Sequence, residues 1–244
     1  MEDPRADDAR RDRVTSAAVA IVLALAASTA AAAPPAVQDT IAQRMRACAV
    51  CHGEQGKATD AGYFPRIAGK PAGYLFNQLV NFRDGRRHNP EMVYLVELMT
   101  DDYLREIAGY FASLELPYPP AQPPAAASEP LMRRGAQLAL HGDPARGIPA
   151  CASCHGERLM GVEPAMPGLL GLSRDYLISQ LGAWRVNTRA AAPPDCMADV
   201  ANRLDPGDVS AVTSWLAAQT PPPGAKPQSR VPLPLPLECG SGLR

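Results

Sequence analysis

Aromatic side chains are scarce in this sequence: four Phe, two Trp and seven Tyr make up 5% of its 244 residues. A chain of that composition that divides into two small units lacks the bulky side chains from which small cores are built, so some other apolar group has to fill them. Net charge is almost nothing, with 24 Lys and Arg against 25 Asp and Glu. Without a basic stripe, binding along a nucleic-acid backbone is excluded. No convincing nucleophile or acid/base constellation is legible either, which argues against hydrolytic or group-transfer chemistry. Long apolar runs are missing everywhere except at the N-terminus.

There, Arg10, Arg11 and Arg13 precede an almost uncharged stretch, 14–33, that is rich in Ala, Val and Leu and ends in the small residues Ala30 to Ala33. Residues 1–33 therefore read as a secretory signal peptide, with Pro34 and Pro35 blurring the cleavage point. The same stretch is near the lower length limit for spanning a bilayer, so membrane association would result only if it stayed uncleaved.

What the chain does have is Cys48-Ala49-Val50-Cys51-His52 and its echo Cys151-Ala152-Ser153-Cys154-His155. In C-x-x-C-H, two thiols one helical turn apart can add across the two vinyl groups of a haem while the adjacent imidazole faces the iron. C-x-x-C alone also serves zinc and thiol redox sites. Two copies with matching context favour two covalent haems c, which would supply the missing apolar bulk and, being attached outside the cytoplasm, fit export to a bacterial periplasm.

The echo extends beyond the motif. Pro65, Gly69, Tyr74, Leu75, Gln78, Leu79 and Arg83 match Pro167, Gly171, Tyr176, Leu177, Gln180, Leu181 and Arg185, with Phe82 facing Trp184. Met92 matches Met197, and Tyr110-Phe111 matches Trp215-Leu216. The chain is thus two tandem copies of one domain. It divides into a first domain at 34–116, a Pro-rich linker at 117–130, a second domain at 131–220 and a Pro-rich tail at 221–244, the linker lying extended because proline interrupts helix and ladder alike.

Each copy reads as helical, with no alternating strand pattern, so the fold class is all-α. Helices are expected over 39–47 and 130–140, from Pro71 to Gly85 with Leu75, Leu79 and Phe82 on one stripe, and from Ser173 with Leu177, Leu181 and Trp184 on the same spacing. Closing helices start at Thr100 and at Asp205-Pro206.

An electron-transfer haem needs a second strong ligand, and the neutral, soft thioether of methionine favours reduced iron. The repeat selects Met92 and Met197; Met99, Met160 and Met166 read as packing or loop residues. His88 and His141 are rivals without a partner in the other copy. Pro65 and Pro167 take a supporting role, because a carbonyl at that loop can accept the Nδ1 proton of the haem histidine and leave Nε2 for iron.

The set Phe64-Pro65-Arg66-Ile67-Ala68-Gly69, Tyr74-Leu75, Gln78-Leu79, Phe82-Arg83, Asn89-Pro90-Glu91-Met92 and Ala108-Gly109-Tyr110-Phe111 behind C-x-x-C-H resembles the dihaem cytochromes c of the cytochrome c4 type. The resemblance covers both copies, from Val37 to Gln219. It implies two class I cytochrome c folds about a pseudo-twofold axis, His52 and Met92 on one iron, His155 and Met197 on the other. It also implies a periplasmic electron carrier whose partners are redox proteins such as a terminal oxidase or a membrane quinol-oxidising complex. Pro193-Pro194-Asp195-Cys196 before Met197, and a tail ending in Glu238-Cys239-Gly240, depart from the pattern. They point to a dedicated partner, for instance a periplasmic dehydrogenase for which the chain is the electron-accepting subunit. A dihaem oxidoreductase, with the Cys196 thiolate replacing the thioether, is the remaining alternative.

Cys196 and Cys239 are the two cysteines outside the haem motifs. In an exported chain they are expected to form a disulfide, although free thiols or a link to another chain satisfy the same count. Closing that loop would contribute on the order of 4 kcal/mol in the chain-entropy model.

Overall fold

The computed structural model describes residues 38–122, 127–229 and 234–241. The signal peptide expected at 1–33 lies outside them, and every helix and strand among them belongs to the compact unit Thr40–Arg244. Among the described residues, no helix is long and apolar enough to cross a membrane.

The first half holds α1 (Ile41–Arg44), α2 (Arg46–His52), α3 (Ala72–Arg83), α4 (Pro90–Val96) and α5 (Asp101–Ser113). The second holds α6 (Glu129–Leu140), α7 (Cys151–His155), a hairpin of β1 (Gly161–Val162) with β2 (Met166–Pro167), then α8 (Arg174–Arg185), α9 (Cys196–Arg203) and α10 (Pro206–Ala217). Helix starts obey local chemistry: Thr100, Ser128, Ser173 and Asp205 each accept a backbone N–H of the first turn through the side chain, satisfying donors the helix cannot pair itself.

Several expectations are corrected. The helix read over 39–47 instead breaks at Met45 and resumes through the haem motif to His52, because nothing in that run interrupts helix before Gly53. The strands missed in the sequence have two residues each, too short for alternation to register. Helix α6 begins at Glu129, inside the stretch read as linker, since Pro130 in the first helical turn gives up an N–H that has no intrahelical partner there. The described part of the linker is also fastened. Arg66 donates to the carbonyls of Leu116 (2.7 Å) and Pro117 (2.8 Å), and Gln122 N–H donates to Ala217 (2.8 Å).

Each half closes around its own apolar cluster. Leu75, Phe82, Leu104, Ile107 and Phe111 centre the first, and Leu138, Leu177, Val212 and Leu216 the second. Helices α6 and α10 cross so closely at Gly135 that a β-carbon there would lie 2.3 Å from the carbonyl oxygen of Ala211.

One buried charge stabilises this crossing. Asp208, 4% exposed, accepts from Arg134 Nε at 2.8 Å and Arg146 Nη1 at 2.5 Å. Burial by itself would raise its carboxyl, but the two guanidinium hydrogen bonds hold it below the usual 3.8. A depressed carboxylate contributes its full stabilisation above its unfolded value and loses it as pH falls through the folded one. Both arginines are about a third exposed (34% and 38%), which discounts the cost of breaking a fully buried pair. Asp208→Asn is therefore expected to lower the unfolding free energy by about 2 kcal/mol in urea at pH 7, the gap from wild type closing as pH is taken below 3.8.

Candidate functional site

His52 ends α2 and His155 ends α7, and each ring is tied to a proline carbonyl across the next loop. His52 Nδ1 lies 2.9 Å from Pro65 O, and His155 Nδ1 lies 2.7 Å from Pro167 O. A carbonyl can only accept, so Nδ1 carries the proton and Nε2 keeps its lone pair. Burial pushes both imidazoles below 6.5, against the opposing pull of those carbonyls. Both rings are thus neutral and oriented, with Nε2 left free to bind a metal.

The methionines sit on two short helices that the sequence reading missed. Asn89 caps α4 by accepting the Met92 N–H at 2.9 Å. Asp195 caps α9 by accepting from Ala198 N–H at 3.1 Å, and its other oxygen takes the indole N–H of Trp184 at 3.2 Å. Each methionine therefore rides in a capped first turn. The signal was present in Asn89-Pro90 and Asp195, residues that favour helix starts, but seven- and eight-residue helices leave little periodicity to read. The rivals His88 and His141 are exposed, whereas Met160 is buried in the second core and Met99 packs on the first.

In the second half, Cys151, Cys154, His155 and Met197 line one cavity, walled by apolar side chains including Leu177, Leu181 and Val212. In the first half, Cys48 and Met92 pack against the same core cluster. Burial pushes the Cys151 thiol up to about 12 and raises Cys48 and Cys154 as well. Among the described residues no three His, Cys, Asp or Glu stand together as a metal-holding group, so neither C-x-x-C finds the further ligands of a structural zinc site. A haem fits instead: two thiols, an imidazole with its Nε2 free, a thioether, and apolar walls.

Cys196 and Cys239 are disulfide-bonded, with Cα atoms 5.1 Å apart. The Cys196 sulfur is thereby engaged and does not compete with Met197.

Where the halves meet, Arg87 and Arg189 run antiparallel and are buried, 9% and 6% exposed. Arg87 donates to Gln78 (2.9 Å) and Gln180 (2.6 Å), and Arg189 donates to the same two side chains at 3.1 and 2.6 Å. This reciprocity is that of a twofold contact. Among the described residues neither arginine has a carboxylate within 4.0 Å. Arg189 also lines the second cavity, a cation in a largely apolar wall, suited to a carboxylate of a haem. The sequence reading passed over this pair, although 189 − 87 is 102, the repeat offset of Pro65 and Pro167.

Two helical halves, one presenting Cys151, Cys154, His155 and Met197 around an apolar space and the other repeating C-x-x-C-H with its histidine tied to a proline carbonyl, define a dihaem c-type cytochrome. No protein-family model matches the chain. It is 38% identical over 202 residues to the thiosulfate dehydrogenase electron acceptor of Thiomonas intermedia (strain K12), covering 82% of this chain and 87% of that protein. It is 33% identical over 171 residues to cytochrome c4 of Pseudomonas aeruginosa, covering 69% and 82%. Among solved structures, reduced cytochrome c4 from Pseudomonas stutzeri matches with a TM-score of 0.62 and 28% identity, over 72% of this chain and 95% of that one. The chain belongs to the cytochrome c4 family: an all-α dihaem cytochrome that transfers electrons and carries two covalently bound haems c.

Proposed function

We propose that the chain is the periplasmic electron acceptor of a thiosulfate-oxidising dehydrogenase, with Cys48, Cys51, His52 and Met92 holding one haem and Cys151, Cys154, His155 and Met197 the other. Residues 1–33 act as the export signal, and the two haem domains occupy 34–116 and 129–220, the second starting with α6. The observation that carries the ligand set is the recurrence, in both halves, of a histidine whose Nδ1 is fixed by a proline carbonyl. The partner rests on the likeness to an electron acceptor of thiosulfate dehydrogenase.

Bound haem supplies one-electron chemistry at iron. The protein's part is to hold and insulate. Pro65 and Pro167 keep the imidazole tautomer, Asn89 and Asp195 hold the first turns that bear the thioethers, and Leu177, Leu181 and Val212 keep water from the second site. A haem held by His52 and Met92, or by His155 and Met197, would leave its iron no open place for a substrate, so the chain would serve as a carrier and not an enzyme.

Mixing the oxidised holoprotein with thiosulfate and a small amount of the dehydrogenase tests this. Both haems are expected to become reduced, and neither with thiosulfate alone. Reduction no faster with the dehydrogenase than with an unrelated reductase would remove the dedicated partner and leave a general carrier, exchanging electrons with a quinol-oxidising complex or a terminal oxidase.

A further inference from the structure

Residues 237–241 of the Pro-rich tail return to the second half and line its cavity: Leu237, Cys239 and Ser241 form part of the wall, beside Met197. Three anchors hold them. The disulfide ties Cys239 to Cys196, the residue before Met197. Gly240 N–H donates to Pro194 O at 2.9 Å, and the backbones approach so closely there that a β-carbon on Gly240 would lie 2.1 Å from Pro193 O. Asn77, on α3 of the first half, donates from Nδ2 to Ser241 O at 3.0 Å.

Ser241 also carries the unexplained feature of this wall. Its hydroxyl oxygen is buried and is the one such side-chain polar atom without a hydrogen-bond partner among the described residues. A buried hydroxyl left unpaired is costly, and this one belongs to a residue lining a largely apolar space whose few polar groups include Gln180, Arg189 and Thr213. The hydrogen-bond acceptors a haem offers to such a site are its two carboxylates.

The first half has no such cover among the described residues. Tyr94, on its methionine helix α4, is 77% exposed, and Leu98, just beyond that helix, 92%. The internal repeat thus supplies two similar ligand sets, and the tail makes them unequal.

We propose that residues 237–241 are a strap completing the second haem site alone: it shuts the Met197 side against solvent and small ligands and offers the Ser241 hydroxyl to the haem's carboxylate edge. The disulfide and Gly240 are positioning elements that act through the strap. This rests on the ligand set proposed for the second half. Among the described residues, no tail segment plays the corresponding part at Met92.

The test uses the two-haem holoprotein with cyanide as the probe, monitored through the methionine-to-iron band at the red end of the oxidised spectrum. Wild type is expected to resist cyanide at both haems. Cys196→Ser combined with Cys239→Ser frees the strap; Gly240→Val lifts it with the disulfide kept. In either variant one haem of the two is expected to take up cyanide and lose its band, while the other behaves as in wild type. Ser241→Ala is expected to move the reduction potential of that same haem only. The strap is overturned if both lifting variants, with two haems and native helix content, resist cyanide as wild type does, or if the haem that opens is the one Met92→Ala affects. Failure of the ligand set shows differently, as a wild type already missing one methionine band. The strap is then still read from the ratio of cyanide uptake rates, variant to wild type, a ratio of one overturning it.

Discussion

A chain carrying Cys151→Ser and Cys154→Ser is expected to mature with one haem instead of two and to leave its second half unfolded. The cavity behind those cysteines is lined by Leu169, Leu177, Leu181, Val200, Val212 and Leu216, and the scarcity of aromatic residues leaves nothing in the sequence to fill it. Even about 1 kcal/mol lost per uncovered aliphatic side chain sums to several kcal/mol, comparable to the roughly 5–15 kcal/mol that hold a whole domain together. Haem stoichiometry and far-ultraviolet circular dichroism measure the outcome. About half of the helical signal should disappear, and Cys48→Ser with Cys51→Ser should do the same to the other half. A full helical signal with one haem would show that the apolar walls collapse onto one another unaided.

Met197→Ala should leave both haems attached but change one of them. With His155 and Met197 as the proposed ligands, loss of the thioether would leave His155 alone on that iron, and half of the methionine-to-iron band should disappear. One reduction potential falls on the order of 0.1 V, and carbon monoxide binds one iron per chain. Met92→Ala should produce the same changes at the other haem. Met99→Leu and Met160→Leu, at residues that pack in the cores, should alter neither potential nor spectrum. Potentiometric titration decides between these outcomes, and a Met197→Ala protein retaining two native potentials would remove Met197 from the ligand set.

The fold was legible where chemistry repeats over many residues. Twelve-residue helices such as α3 and α8 carry three turns of apolar stripe, and their caps and proline boundaries stand at the expected places. The motif helices α2 and α7 were marked by C-x-x-C-H as sites but not read as helices. Other short elements were not legible either. Helices α4 and α9 are positioned by Asn89 and Asp195 and by the Trp184 indole, contacts that mean little until the chain has turned back on itself. The hairpin of β1 and β2 left no pattern because each strand spans barely one side-chain alternation. Arg87 stands in the charged run Arg86-Arg87-His88, which offers no sign of burial, yet it is buried. What places it inside is a second arginine about a hundred residues later and two glutamines that serve both.

The order of residues alone dictates that two haem-binding copies lie in tandem and which cysteines and histidines define them. Covalent attachment and axial ligation demand fixed residue types at fixed local spacing, and such demands are written along the chain. How the copies differ and how they join is a matter of tertiary packing. A buried arginine pair satisfied by glutamines at the seam, the tail residues that line the second half's cavity, and the unpaired Ser241 hydroxyl all depend on residues far apart in sequence. Their proximity is set when the halves close on one another, and neither composition nor local periodicity encodes it.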